Sequence, residues 1–138
     1  MAEATGDLLG QKRVVLDTNV LVSALWSEDG KPADVFAMIP AQAVDLYVNH
    51  SIVAEYSRVL IRPKLRFSQY KTQQVLELIT KAAIHVVAPA IPIDFADPDD
   101  KVFYEVAVAA DAWLVTGNKK HFPDDPRVIS PAEFLSLD

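Results

Sequence analysis

The sequence of 138 residues contains no cysteine. That excludes a disulfide framework and a thiolate metal site, and it fits a reducing compartment. No uninterrupted apolar run approaches transmembrane length. The start, Met1-Ala2-Glu3-Ala4-Thr5-Gly6-Asp7, is acidic and lacks the basic beginning and apolar middle of a signal peptide, so a cytoplasmic protein without a membrane segment is expected. Positive charge is in deficit: 13 Lys and Arg against 19 Asp and Glu leave a formal net charge of -6. Binding nucleic acid through the whole surface is thereby disfavoured, because a phosphate backbone needs local positive charge. Internal repeats and low-complexity segments are absent. His50, His85 and His121 lie far apart and show no metal-ligand spacing.

Apolar residues are plentiful, at 51%. A chain of this length and composition folds around one sizeable core. Residues 1 to 12 read as a flexible N-terminal tail, and 13 to 138 as one domain. Strands are expected at Arg13 to Asp17, Val44 to Val48, His85 to Val87, Ala112 to Thr116 and Arg127 to Ile129. Between them the spacing predicts helices over Val20 to Trp26, Ala33 to Ile39, a third beginning near Ser51 and ending at Arg62-Pro63, Phe67 to Ala83, and one opened by Asp97-Pro98-Asp99-Asp100. Ser51 is a plausible N-cap of the third helix, with Asn49 as alternative. Ser130-Pro131-Ala132-Glu133 carries the signature of a last helix start. Alternating strands and helices give an α/β fold, a three-layer α/β/α sandwich with a mostly parallel central sheet.

In such a sheet, ligands bind at the carboxyl ends of the strands. Asp17 ends the first strand there. A helix cap and a metal ligand are about equally good readings of it. Glu55 falls at the border of a buried helical stripe that includes Ile52 and Val59. A carboxylate in that place is costly unless paired. An ion pair with Arg58 or Arg62 on the same side is the plain alternative, although surface pairs contribute little. Asp97, Asp99 and Asp100 crowd one helix start; one acid satisfies the helix dipole, and three repel one another unless a cation is near. Thr116-Gly117-Asn118 closes the fourth strand with a tight turn whose polar groups suit a phosphate or a bound water. Several carboxylates without Cys or imidazole partners select a hard cation, Mg²⁺ or Mn²⁺. Such ions serve phosphoryl chemistry. Residues 58 to 81 carry Arg58, Arg62, Lys64, Arg66, Lys71 and Lys81 against Glu77 alone, which on charge alone reads as a solvated helical face. Similarly, His85 reads as structural and His121 as an exposed loop residue. For Tyr56 and Trp26, base stacking competes with core packing, the expected fate of both.

Taken together, Val14-Val15-Leu16-Asp17-Thr18-Asn19-Val20-Leu21, Glu55, Asp97-Pro98-Asp99-Asp100-Lys101-Val102-Phe103 and Leu114-Val115-Thr116-Gly117-Asn118-Lys119-Lys120-His121-Phe122 resemble the PIN domain, and more narrowly its toxin branch related to VapC-type toxins. The resemblance runs from about Arg13 to Leu137. It implies a metal-dependent endoribonuclease using Mg²⁺ or Mn²⁺. Asp17, Glu55 and Asp100 match the family's three most regular metal-binding acids, with Asp99 or Asp97 sharing the third role. Many members carry a fourth acid at or just after the position of Asn118; here Asn118 stands there, and His121 occupies a place where some relatives have another acid. Asp124 and Asp125 lie further along. The expected division of labour gives Asn19, Thr116 and Asn118 the orienting of water and phosphate. Arg58, Arg62 and Lys64, within a basic segment reaching Lys71, would steer RNA together with Lys119 and Lys120. The family also implies an antitoxin partner and is compatible with a homodimer.

Two other classes compete. A non-catalytic RNA- or protein-binding module on the same fold is favoured by the missing fourth acid. A phospho-acceptor domain is suggested by Asp17, Asp99, Thr116 and Lys119, but it needs paired acids beside the first strand, and none stands there.

Overall fold

Val14, Val15 and Leu16 are all buried. Neighbouring side chains on a strand point to opposite faces, so a strand buried along its whole length must be covered on both sides. These residues belong to β1 (Lys12–Leu16), the middle strand of the sheet. The computed structural model describes residues 11 to 137. After β1 come α1 (Thr18–Trp26), α2 (Lys31–Ala37), β2 (Val44–Val48), α3 (His50–Leu60), a 3-10 turn at Pro63–Leu65, α4 (Gln69–Ala82) and β3 (Ile84–His85). Then follow α5 (Pro98–Ala110), β4 (Trp113–Val115), a 3-10 turn at Lys119–His121, β5 (Val128–Ile129) and α6 (Pro131–Leu135). The expected N-terminal tail lies outside the described residues except for Gln11 and Lys12, and Lys12 is already in β1.

The sheet order is β3-β2-β1-β4-β5. Every pairing is parallel, with Val14 opposite Leu46 on one side and Trp113 on the other. The expectation of a mostly parallel sheet is met by one that is parallel throughout the described residues. No helix is long and apolar enough to cross a membrane among those residues. From β1 the chain steps outward through β2 to β3, then returns to the other side of β1 for β4 and β5. The order therefore reverses between β1 and β4, and a crevice opens outside their carboxyl ends.

Several boundaries differ from the sequence-based expectation. β1 stops at Leu16, and α1 begins at Thr18 instead of Val20. Only Asp17 is left at the junction, so it serves as the N-cap of α1. Asn49, not Ser51, caps α3, its Oδ1 accepting from the Ile52 amide at 2.9 Å. α4 begins two residues later than expected because Ser68 caps it. β3 begins one residue earlier and ends two residues earlier than expected. Ser130 and Glu133 form the expected capping box. Tyr56 is in the core beside Phe103, but Trp26 is 62% exposed, which corrects the expectation that both would be buried. Trp26 is the last residue of its helix.

Candidate active site

Asp17 is 5% exposed and has a polar partner on each carboxylate oxygen. The Thr18 amide donates to Oδ1 at 2.8 Å, and the Thr116 hydroxyl donates to Oδ2 at 2.8 Å. Thr116 follows β4 and is fully buried, so the bond bridges the two strands at the crevice. The Thr116 hydroxyl in turn accepts from the Asn118 amide at 3.0 Å. Burial pushes the Asp17 carboxyl up to about 6, and the charge of Asp100 adds to it; the hydrogen bonds from Thr116 and Thr18 and the charge of His121 act against the rise. Two donated hydrogen bonds thus fail to compensate the carboxylate for its loss of water.

Glu55 and Asp100 reach the same crevice from α3 and α5. Tyr56, next to Glu55, donates its hydroxyl to the Leu16 carbonyl at 2.6 Å and fixes α3 to the end of β1. Glu55 accepts a long hydrogen bond of 3.5 Å from the Thr18 hydroxyl and is ion-paired with Arg58. The intrahelical pair weighed against a functional role for Glu55 is therefore present. Arg58 also approaches Asp99 at 3.9 Å. Asp97 caps α5 by accepting from the Asp99 amide, and Asp99 itself is exposed. Asp100 is turned inward, its side chain only 16% exposed. Desolvation raises its pKa first, followed by Asp97, with His121 opposing and Asp99 and Glu55 contributing. The charge of Asp100 thus bears on Asp17, and those of Asp97, Asp99 and Glu55 bear on Asp100, so negative charge gathers along one groove.

His121 is the residue the sequence reading undervalued. Its Nδ1 lies 3.3 Å from Asp100, and its Nε2 lies 2.9 Å from the side-chain Nδ2 of Asn118. Its cues were its place three residues after Asn118 and the acid that some relatives carry at its position; the 3-10 turn folds it back. Asn19 is exposed, and its Oδ1 accepts from the Gly117 amide at 3.2 Å. The turn after β4 is thereby tied to the start of α1.

These groups line a groove of about 590 Å³ that takes in Asp17, Asn19, Glu55, Asp97, Asp100 and His121. Arg62 and Lys64 lie on its wall. The other expected basic residues are placed differently. Lys119 is bound to Glu133 at 3.1 Å. Lys71 donates to the Leu25 carbonyl, and Lys81 lines a separate cavity with Asp45. Lys120 lines a neighbouring cavity of about 420 Å³ that shares Asp97, Asp100 and His121 with the groove. Asp125 is committed to Tyr104 and Arg127 and takes no part in the site.

The PIN domain family model matches residues 13–120. The chain belongs to the PIN domain family. An uncharacterized protein of Methanocaldococcus jannaschii is 30% identical over 110 residues, covering 78% of this chain and 71% of the relative. A chain in the crystal structure of VapBC2 from Rickettsia felis bound to a DNA fragment from their promoter superposes with a TM-score of 0.58. That match covers 86% of this chain and 96% of the other at 18% identity, so it speaks for the fold. The PIN domain thus has its acids where the sheet order reverses.

PIN domains typically use divalent metals, and the donor set here is all oxygen, as a hard cation requires. The uncompensated charge at Asp17 and Asp100 fits a cation between them. Among the described residues, no three His, Asp or Glu side chains are grouped to hold one ion. The acids repel, and each has turned to its own partner, Glu55 to Arg58 and Asp100 to His121. A small hard cation that keeps several waters needs only one or two direct carboxylates, so the residues fit such an ion.

Proposed function

We propose that this PIN domain is an endoribonuclease dependent on Mg²⁺ or Mn²⁺, hydrolysing RNA phosphodiester bonds as the toxin of a toxin–antitoxin pair. One observation carries the reading. Asp17 is buried at the switch point with two donated hydrogen bonds, yet its pKa stays raised to about 6 with Asp100 beside it. A structural cap has no need of a second, half-buried acid in the same groove.

Asp17 and Asp100 would hold the ion directly, and Glu55 would join through water or on release from Arg58. When bound, the ion supplies a more acidic water and neutralises charge building up on the phosphate. Thr116 is a positioning residue, since its hydroxyl is spent on Asp17. Asn19 offers its amide N–H groups to the groove, because its Oδ1 is held by Gly117. Asn118 orients His121 and holds it against Asp100. Arg62 and Lys64 attract the RNA backbone into a pocket that is otherwise negative. The same reading gives the protein a cytoplasmic setting, a partner antitoxin and compatibility with a homodimer; the Rickettsia felis neighbour is part of a VapBC2 assembly.

The test is cleavage of mixed RNA with and without Mn²⁺, with EDTA as control and Asp17→Asn alongside. Metal-dependent cleavage that the variant loses is expected. The ungrouped acids and Asn118 favour a second reading, a non-catalytic RNA- or protein-binding module. No cleavage under any metal condition would decide for that module.

A further inference from the structure

Trp26 is 62% exposed, yet its ring is not loose. Phe67 meets it edge-on, with ring centroids 6.2 Å apart and planes at 64°. Phe67 is held in turn: the Lys71 ammonium sits 5.4 Å from its ring centroid while donating to the Leu25 carbonyl at 2.9 Å. The indole at the end of α1 thus rests against a Phe67 ring that α4 holds in place through Lys71. Lone exposed apolar residues are ordinary on protein surfaces. Trp26 differs because it lines the same groove as Asp17, Glu55 and Asp100. The same groove is lined by Arg62 and Lys64, and among the described residues neither has an ion-pair partner. A fixed aromatic face next to two available cations is the pairing that single-stranded nucleic acid uses, bases on the ring and phosphates on the charges.

We propose that Trp26, Arg62 and Lys64 form a nucleotide subsite beside the acids, where an unpaired base of single-stranded RNA stacks on the indole. The subsite rests on the nuclease reading for its biological sense, but its binding does not require cleavage. It selects single-stranded over duplex RNA, because a paired base cannot present its face to the ring. Arg62 and Lys64, without ion-pair partners among the described residues, favour RNA over a protein segment here, because they can take its phosphates while the indole accepts any base.

The test uses the two tryptophans, Trp26 and Trp113. The Trp113→Phe variant leaves Trp26 as the sole indole reporter. Titration with a single-stranded oligoribonucleotide in EDTA should quench its fluorescence. Trp26→Ala should weaken binding of the same oligonucleotide about tenfold, with Trp26→Phe retaining most of the affinity. In cleavage assays Trp26→Ala should raise KM and spare kcat. The proposal is overturned if Trp26→Ala binds the oligonucleotide as tightly as the parent, or if the parent binds none. A silent Trp26 signal while filter retention shows binding has the same meaning, and the groove then falls to a protein partner. A chain that binds as described but cuts nothing would sink the nuclease reading and leave the subsite standing. One that cuts without regard to Trp26 would do the reverse.

Discussion

At the residue scale, Asp17 holds two roles that pull against each other. As the cap of α1 it accepts the Thr18 amide; as a buried anion it loses water that two hydrogen bonds do not replace. Its folded pKa of about 6 lies above the ordinary carboxyl value of 3.8, so the native state binds more protons between those values. Stability in the absence of metal must therefore fall as pH rises from 4 to 6, by about 3 kcal/mol, with the full cost present above pH 6. Asp17→Asn should raise the denaturant midpoint at pH 8 by an amount equal to about 1–3 kcal/mol and have no such effect at pH 4. A midpoint difference that ignores pH would show that Asp17 is not strained. Tyr56 is the companion case. Its phenol is pushed up by burial and by the charges of Asp17 and Glu55, so it remains a neutral donor to the Leu16 carbonyl. Tyr56→Phe should cost about 1–2 kcal/mol in urea melts, since it strands a buried acceptor. A neutral effect would mean that water replaces the lost hydroxyl.

At the scale of elements, what the sequence spelled out was apolar rhythm and helix punctuation. Val44-Asp45-Leu46-Tyr47-Val48 alternates, and its buried positions are the expected ones. The capping box at Ser130 was legible because its two residues are three apart. Junctions were harder. A strand and a helix separated by one residue leave no turn signal, which is why α1 was expected to begin two residues late. The partners of the site acids were harder again, because the Thr116–Asp17 bond spans 99 positions and the Asp100–His121 contact comes from different elements. The α3 cap offers a clean test of element-scale reading. Asn49→Ala removes the acceptor for the Ile52 amide and should cost about 1 kcal/mol. Ser51→Ala, one residue inside the helix, should be near neutral. Equal losses from the two, measured as denaturant midpoints, would show that the cap is shared.

At the scale of the whole molecule, a net charge of -6 is gathered partly into one crevice where the sheet order reverses. A divalent cation bound there acts against the same repulsion that weakens the metal-free fold. Ligand that binds only the native state stabilises it, by about 2.7 kcal/mol at a hundredfold excess over Kd. For a domain of this size that is a rise in Tm of roughly 10 °C. Protons compete with the cation for Asp17, so the rise should be large at pH 8 and small at pH 5. Raising the pH thus lowers the Tm of the metal-free protein while enlarging the gain from Mn²⁺, and the two curves should diverge. Asp17→Asn should lose most of the gain and start from a higher metal-free Tm at pH 8. Thermal melts with Mn²⁺ and with EDTA at both pH values check this. Parallel curves would separate the charge strain from metal binding, and would leave the acids as a structural cluster.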